Sequence, residues 1–479
     1  MDFEAVIGLE VHAELSTETK IFCACSTKFG AEPNTQTCPV CLGLPGSLPV
    51  LNKKVVDYCI RAGLALNCRI ADYSKLDRKN YFYPDLPKVY QISQYDLALC
   101  QDGLLRLASG KPIRITRIHI EEDAGKLVHS MEAERYSLVD YNRAGTPLIE
   151  IVTAPDLATP EEAVEFLEKL RRILMYLGIS DCKMEEGSLR CDANISVKPA
   201  GAKELGVKTE LKNINSFKAL GRALAYEFER QSELLAEGKT VKPETRKWEE
   251  AKQRTLPLRS KEEAQDYRYF PDPDLVPIEL DRAYVEEIAA SLPELPAEKK
   301  RRFIADHHLP EYDADLITGS KHLADFFEAV IKHYFNPKAA SNFIMGELLR
   351  LMGEEGLALE ELAVNPAHLG EVLKRIDEGE ISVSQGKKVF EKVFRTGDSP
   401  EEIIKAEGLR QISDEGRLLM VVTQVLKDYP QSVTDYLSGK TKAAQFLIGQ
   451  IMRETKGQAN PQVIKALLID ELEKMRTGN

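Results

Sequence analysis

The sequence predicts an α+β chain: an antiparallel sheet over roughly the first 293 residues, then two all-α regions. Three observations carry this. Apolar and polar residues alternate with a period of two at 4–15, 113–120, 188–197 and 206–213, as strands with one buried face do. Beyond Val276 that alternation gives way to short amphipathic stretches of helical period separated by polar turns. The length, 479 residues with 43% hydrophobic and 29% charged, suits about three domains of ordinary globular composition. The expected boundaries are 1–293, with a cysteine knuckle at 23–41, then 294–407 and a tail at 408–479.

Composition excludes some functions. A net charge of −12 argues against non-specific wrapping of nucleic acid, which needs clustered cations, so such a partner would be met by local basic patches. The acidic start Met1-Asp2-Phe3-Glu4 runs straight into the first strand, and no apolar run approaches the ~20 residues that cross a bilayer. The expectation is a cytoplasmic protein without a membrane role.

The first strand sets the pattern. Ala5, Ile7, Leu9, Val11, Ala13 and Leu15 form one face, while Gly8, Glu10, His12 and Glu14 lie on the other. Glu10 and His12 stand about 7 Å apart along the pleat, a bite suited to a divalent cation. A merely solvated polar face is the alternative for this strand alone.

Nine cysteines are too few for a disulfide scaffold at this length. Cys23, Cys25, Cys38 and Cys41 follow a C-x-C-x12-C-x2-C spacing that can close a tetrahedral zinc site, with Pro39 and Gly43 helping the chain fold back. Four thiolates leave no open position, so such a site is structural. The alternative is reduced, unliganded thiols. Cys59, Cys68, Cys100, Cys182 and Cys191 are scattered and read as core residues.

Residues 74–96 form a loop-rich aromatic segment in which Arg78, Lys79 and Lys88 sit among Tyr81, Phe82, Tyr83 and Tyr90. Pro84 and Pro87 forbid a continuous helix. Cations and flat rings suit a nucleotide or an RNA end, and equally a packed loop. Residues 113–120 alternate again, slip register at Thr116-Arg117 as a bulge does, and end in Glu121-Glu122-Asp123-Ala124-Gly125-Lys126. That ending resembles a metal and phosphate corner, or an exposed acidic turn. After Arg143 and Gly145, the run Pro147–Val152 is apolar except for Glu150. Such a run is buried on both faces, so Glu150 needs a cation, a metal, hydrogen bonds or a proton.

A helix opens at Thr159-Pro160-Glu161-Glu162 with a cap, an N1 proline and a glutamate placed for a capping box, and ends at Gly178. Two further strands follow. In 188–197, Leu189, Cys191, Ala193, Ile195 and Val197 oppose Arg190, Asp192, Asn194 and Ser196. In 206–213, Val207, Thr209 and Leu211 oppose Lys208, Glu210 and Lys212. If these strands share a sheet, their acids can hold Mg²⁺ through hard oxygens while interleaved cations hold phosphates, as phosphoryl transfer requires. Neither a phosphate-binding G-x-x-x-x-G-K-[ST] loop nor a G-x-S-x-G nucleophile elbow is present.

Several segments resemble one family. GLEVHAEL at 8–15, FGAEPN at 29–34, DRKNYFYPD at 77–85, HIEEDAGK at 119–126, VDYNRAGTPLIEIVT at 139–153, KMEEGSLRCDANIS at 183–196, TELKNINSF at 209–217, DYRYFPDPDLVP at 266–277 and GQIMRETKGQANP at 449–461 are similar to the B subunits of GatCAB-type tRNA-dependent amidotransferases. The resemblance implies a ligase that amidates Glu-tRNA(Gln), and in many members Asp-tRNA(Asn), using glutamine as amido donor. It also implies a heterotrimer with an amidase, the A subunit, and a small C subunit, with the tRNA and its cognate synthetase as further partners. Within that assembly the B subunit phosphorylates the misacylated carboxylate with ATP, and ammonia delivered from the amidase displaces the phosphate. By the same resemblance the sheet is a cradle like that of glutamine synthetase and the guanidino kinases. Glu10, His12, Glu150, Asp192 and Glu210 are then catalytic. Together with Glu121 or Glu122 they bind Mg²⁺. Lys79, Arg143, Lys126 and Arg190 contact phosphate or substrate, and the cysteines form a zinc knuckle found in some members.

The remainder reads as helices at 296–307, 323–333, 339–352, 366–379, 414–427, 442–454 and 461–476. Lys440, Lys442, Arg453 and Lys456, around Gly439, Gly449 and Gly457, form either a solvated helical face or, as the resemblance implies, the tail's contact with tRNA.

Overall fold

The computed structural model describes residues 2–128, 136–260, 266–357, 364–409, 415–455 and 459–477. The chain divides into two compact units, 1–296 and 297–479.

The first unit is built on a nine-stranded sheet: β1 Phe3–Glu14, β2 Arg69–Ile70, β3 Cys100–Arg106, β4 Pro112–Glu122, β5 Pro147–Thr153, β6 Leu189–Pro199, β7 Thr209–Lys212, β8 Glu244–Glu249 and β9 Arg254–Ser260. Their spatial order is β9-β8-β7-β6-β1-β5-β4-β3-β2. The pairing departs from the expected antiparallel sheet once, where β7 and β8 run parallel. A parallel pair needs a long crossover, and the helix Phe217–Ala236 lies in that connection.

One sheet face is apolar and covered. Helices α1 Lys53–Ala65, α2 Pro160–Tyr176 and α3 Phe217–Ala236 pack a continuous core on it with Ile7, Leu9, Val11, Ile118, Ile120, Ile149, Ile151, Ala193 and Ile195. Helix α2 starts where its cap residues place it: Thr159 Oγ1 accepts from Glu162 N at 3.2 Å. The expected capping box is displaced by one residue, because the Glu162 carboxylate accepts from Ala158 N at 2.8 Å and from Lys111 at 2.7 Å. Gly178, at φ +66°, ends the helix in the left-handed region.

The strand expected at 206–213 is shorter than its alternation suggests. Pairing begins only at Thr209, so Val207, expected inward, is exposed. The aromatic segment carries two short strands, Asp77–Asn80 and Tyr90–Ser93, which with Phe270–Pro271 form a separate small sheet.

The second unit is helical in its described residues and holds two hydrophobic cores. One spans Phe303 to Ile404 and the other Leu418 to Leu472. The helix expected at 339–352 is interrupted: Pro337–Phe343 and Leu349–Glu355 flank a wider turn at Ile344–Leu348. Helices at Glu311–Ile317, Val383–Thr396, Pro400–Glu407 and Pro430–Leu437 add to those expected.

Among the described residues no helix is long and apolar enough to cross a membrane.

Glu227 clamps helix α3 to the sheet edge. Its fully buried carboxylate meets Arg230 at 2.8 Å, Arg246 at 3.0 Å and Gln231 at 3.1 Å, and accepts from the Thr255 hydroxyl. Burial opposes its charge, but Arg230, Thr255 and Gln231 outweigh burial and hold the carboxyl below the usual glutamate range. Removing the charge leaves two guanidinium groups short of a partner, so Glu227→Gln is expected to destabilise the fold by about 3 kcal/mol in urea denaturation near pH 7. As pH falls, the unfolded chain binds this proton first. The stabilisation is complete above the unfolded glutamate range and lost as pH drops through the lower folded value. The gap between wild type and variant is therefore expected to narrow in acid.

Candidate active site

The sheet face opposite the helices is polar, and strand register decides which side chains share it. β1 lies between β5 and β6, pairing His12 with Glu150 on one side and with Arg190 on the other. Glu150 in turn pairs with His119 of β4. One row across four strands therefore reads Arg190, His12, Glu150, His119. A neighbouring row reads Lys212, Asp192, Glu10, Val152, Arg117, where β7 extends the sheet.

The bulge expected in β4 is present. Val152 pairs with Arg117 and Thr153 with Ile115, leaving Thr116 without a partner on that side. After the slip Ile118 and Ile120 point to the core, and Arg117, His119 and Glu121 take the polar face. A β-bulge re-aims the side chains that follow it.

His12, Glu121 and Glu150 converge. Their ligand atoms all lie within 4.8 Å of one another, a group that could hold a metal ion. His12 Nε2 is 3.3 Å from both Glu121 Oε1 and Glu150 Oε2. His119 Nε2 lies 3.6 Å from each carboxylate. His119, absent from the ligand set expected from sequence, is thus part of the cluster. Its parity with Glu121 after the bulge was the signal.

Electrostatics bind the four groups together. Burial works against charge on His12, but hydrogen bonds and charges from Glu121 and Glu150 outweigh it and raise His12 to about 10. Burial likewise opposes charge on Glu121 and Glu150. The two imidazoles outweigh it and hold both carboxyls below their usual range.

The other expected residues fall into separate groups. Glu10 Oε1 accepts from Asn194 Nδ2 at 2.9 Å. Asp192 meets Lys212 at 2.5 Å, Lys212 lies 3.3 Å from Glu210, and Glu210 accepts from Thr245 at 2.9 Å. Glu122 is on the opposite face from Glu121, held by Lys88 at 2.5 Å and by Ile92 N at 2.8 Å. Alternation along the strand makes the two positions mutually exclusive, so Glu122 does not belong to this group.

Arg143 and Arg190 are both committed to Asp123, Arg143 Nε at 3.2 Å and Arg190 through a short contact. Burial and the Asp123 carboxylate beside it push Glu14 up to about 8, against the pull of Arg190 and Arg143. Lys126 is exposed on the hairpin Lys126–Val128 and joins none of these groups. Lys79 lies at the rim, its Nζ 5.1 Å from the Tyr267 ring centroid. With Tyr95 and Tyr269, stacked at 4.3 Å, it lines a cavity of about 200 Å³ over Glu10, Arg117, His119, Glu121 and Glu150.

Among the described residues, two buried polar atoms on side chains that line this cavity, His119 Nδ1 and Arg117 Nε, have no hydrogen-bond partner. Buried polar atoms are rarely left so, and their gathering here suits a polar ligand with both charges and oxygens to offer.

The four cysteines also converge: the sulfurs of Cys23, Cys25, Cys38 and Cys41 lie within 4.8 Å of one another and could hold a metal ion. Cys41 Sγ accepts from Cys38 N at 3.2 Å and lies 3.7 Å from the buried Lys20 ammonium. Hydrogen bonding from Cys23, helped by the Cys38 amide and Lys20, outweighs burial and draws Cys41 down to about 4. The remaining five cysteines are buried.

In the second unit Lys440 pairs with Asp435 at 2.9 Å. Lys442 and Arg453 are exposed on one helix, Lys442–Glu454, where eleven positions return to within about 20° of the same face. Lys456 lies outside the described residues.

The structure is a mixed α/β layer with a histidine–carboxylate cluster on its polar face, followed along the chain by helical modules. Comparison with known proteins narrows the class. A GatB/GatE catalytic domain matches residues 5–286 and a GatB domain matches residues 325–472. The chain is 60% identical over 477 residues to the B subunit of the aspartyl/glutamyl-tRNA(Asn/Gln) amidotransferase of Caldanaerobacter subterraneus subsp. tengcongensis, covering 99% of this chain and 100% of that one. It is 58% identical over 479 residues to the protein of that name from Carboxydothermus hydrogenoformans, and 54% over 479 residues to that from Clostridium tetani, with the same shares covered. The chain belongs to the GatB/GatE family.

His12→Ala removes the group that separates two buried carboxylates. In the metal-free chain it is expected to cost about 3 kcal/mol in urea denaturation at pH 7, and a double-mutant cycle with Glu150→Gln is expected to show coupling above about 0.5 kcal/mol. Additivity within error would separate the two side chains.

Proposed function

We propose that this chain is the amidotransferase component that activates the side-chain carboxylate of Glu-tRNA(Gln), Asp-tRNA(Asn) or both, working in a heterotrimer with an amidase and a small third component, the A and C subunits. The observation that supports it best is the His12–Glu121–Glu150 cluster, set on a polar face whose margins carry Arg117, Arg190, Lys79 and Lys212. The relatives named above bear the substrate class in their names.

A carboxylate is a poor electrophile until one oxygen becomes a leaving group. In the proposed step that oxygen attacks the γ-phosphorus of ATP, the bond to ADP breaks, and an acyl phosphate forms. Ammonia then adds to the acyl carbon, phosphate leaves with the activated oxygen, and the surplus proton is lost to give the amide. A divalent cation such as Mg²⁺, when bound, neutralises the phosphate oxygens during transfer. His12, Glu121 and Glu150 would hold it, with His119 against both carboxylates. As a ligand His12 would offer the lone pair of a neutral imidazole. Arg117 and Lys79 are placed to orient phosphate or nucleotide at the cavity rim. Arg143 and Arg190 act at one remove, by fixing Asp123. Tyr95 and Tyr269 stack along one side of the cavity.

The domains follow from this reading: a cradle at 1–293 for phosphoryl transfer and amidation, similar to that of glutamine synthetase, a helical region at 294–407, and a tail at 408–479 that meets tRNA. Lys442 and Arg453, sharing a helix face, are proposed as its phosphate contacts, and the proposal extends to Lys440 and Lys456. The four cysteines are proposed to hold structural zinc, since four thiolates match a closed tetrahedral site.

Two experiments address this. With the heterotrimer assembled, ATP cleavage is expected to rise on adding Glu-tRNA(Gln) or Asp-tRNA(Asn) over uncharged tRNA. Glu150→Gln is expected to lower amidation at least about 100-fold while glutamine hydrolysis by the amidase persists. ATP turnover indifferent to the aminoacyl group, or full amidation by Glu150→Gln, would count against the reading. For the knuckle, atomic absorption is expected to find one zinc per chain, and Cys38→Ser to lose it with a fall of several degrees in Tm. A zinc-free protein of unchanged Tm is the opposing result.

A further inference from the structure

Lys20 is fully buried, and among the described residues it has no carboxylate for an ion-pair partner. Its backbone N donates to Cys25 O at 2.9 Å, which ties it to the first cysteine pair. Its ammonium crosses to the second pair, 3.7 Å from Cys41 Sγ, and donates to Tyr141 O at 3.2 Å. The acids lining the adjoining cavity are committed elsewhere, Glu122 to Lys88 at 2.5 Å and Asp274 to Arg78 at 3.0 Å. A buried ammonium is costly unless an anion compensates it, and the sulfurs of the quartet are the remaining source of one.

We infer that Lys20 is the charge partner of a metal–thiolate centre at Cys23, Cys25, Cys38 and Cys41, and the link through which a metal held there steadies the loop that carries Arg143. Four thiolates around one zinc leave two negative charges over. A cation that donates to one of the sulfurs neutralises part of that surplus and fixes the sulfur's direction, as outer contacts to metal ligands do. An ammonium has three donors, so the same group can also hold the Tyr141 carbonyl. The loop is fastened to the knuckle at other points too. Tyr141 N donates to Asn34 Oδ1 at 2.8 Å, Asn34 Nδ2 to Val139 O at 3.0 Å, and Gln36 N to Asn142 Oδ1 at 2.8 Å. Asn34 and Gln36 stand between the two cysteine pairs, on the stretch of chain whose two ends a bound metal would fix together. Arg143, next along the chain from Asn142, reaches Asp123 at 3.2 Å and donates to Ala124 O at 3.1 Å. The knuckle and the polar face thus meet at one turn of chain.

This inference rests on the reading that the quartet takes zinc, and titration of the zinc-stripped full chain with zinc alone, against a chromophoric chelator, separates the two. Lys20→Met, which keeps an apolar stem and removes the charge, is expected to bind zinc at least about tenfold more weakly than the wild type. In the cobalt-loaded variant the sulfur-to-metal charge-transfer band is expected to move to longer wavelength, because an uncompensated thiolate gives up electron density more readily. A lost packing contact alone would leave that band in place. Hydrogen exchange over residues 141–146, read by mass spectrometry, is expected to quicken in the stripped wild type and in Lys20→Met at saturating zinc. Equal zinc affinity with an unmoved band overturns the inference and leaves the zinc site standing, and so does weaker zinc with band and exchange both unchanged. A wild type that binds no zinc ends both readings. Lys20→Gln replaces the methionine variant if circular dichroism shows that one unfolded.

Discussion

Everything at the polar face depends on the register of β1 against its two neighbours. Successive residues of a strand point to opposite sides, so a slip of one position would send His12 into the apolar layer and bring Val11 out. β1 has no freedom to slip. Ile7, Leu9, Val11 and Ala13 are wholly or almost wholly buried against helices, and the pairing with β6 runs unbroken from Phe3 to Ala13. The core side therefore fixes the site side. Helices that never approach the cluster set its geometry by holding the other half of each strand.

Within that frame, Glu121, Glu150, Asp192 and Asp123 each face an imidazole, an ammonium or a guanidinium group. The cluster at His12 holds two carboxylates and two imidazoles, while neighbouring rows place Lys212 beside Asp192, and Arg190 with Arg143 against Asp123. The carboxylates that could take up a metal lie against imidazoles, and those held by lysine or arginine already have permanent partners. Such partition follows from the chemistry of the cations. Imidazole can exchange roles near neutral pH, and guanidinium and ammonium keep their charge.

The sequence made the strands, their faces and the cysteine quartet legible, because alternation and spacing are local. Glu150 stood out for the same reason, as a lone acid in an apolar run. What stayed hidden was long-range. Glu121 and Glu122 could be told apart only by which face of β4 meets β5, and that depends on the bulge at Thr116. His119 was concealed by the same slip, although its position two residues before Glu121 made it a companion once the parity was known. Asp192 and Glu210 looked equivalent to the other acids until the pairing of β6 with β7 brought Lys212 between them. The parallel step from β7 to β8 was equally unreadable, since strand direction is set by the crossover and not by any strand's own residues.

The cysteine quartet, though far from Glu121 along the chain, is mechanically connected to the polar face. Buried Lys20 reaches both Cys41 Sγ and the carbonyl of Tyr141, at 3.7 and 3.2 Å. Ile21 N donates to Gly145 O at 2.9 Å, Gly145 N to Asp123 O at 2.9 Å, and Asp123 N to Thr146 O at 2.8 Å. The loop at 141–146 is thus pinned from one side by the knuckle and from the other by the end of β4, and it carries the Arg143 that pairs with Asp123. Gly145 takes φ +82° in this loop, a conformation that a side chain would strain. The quartet and the loop that carries Arg143 are thus joined through Lys20 and Ile21.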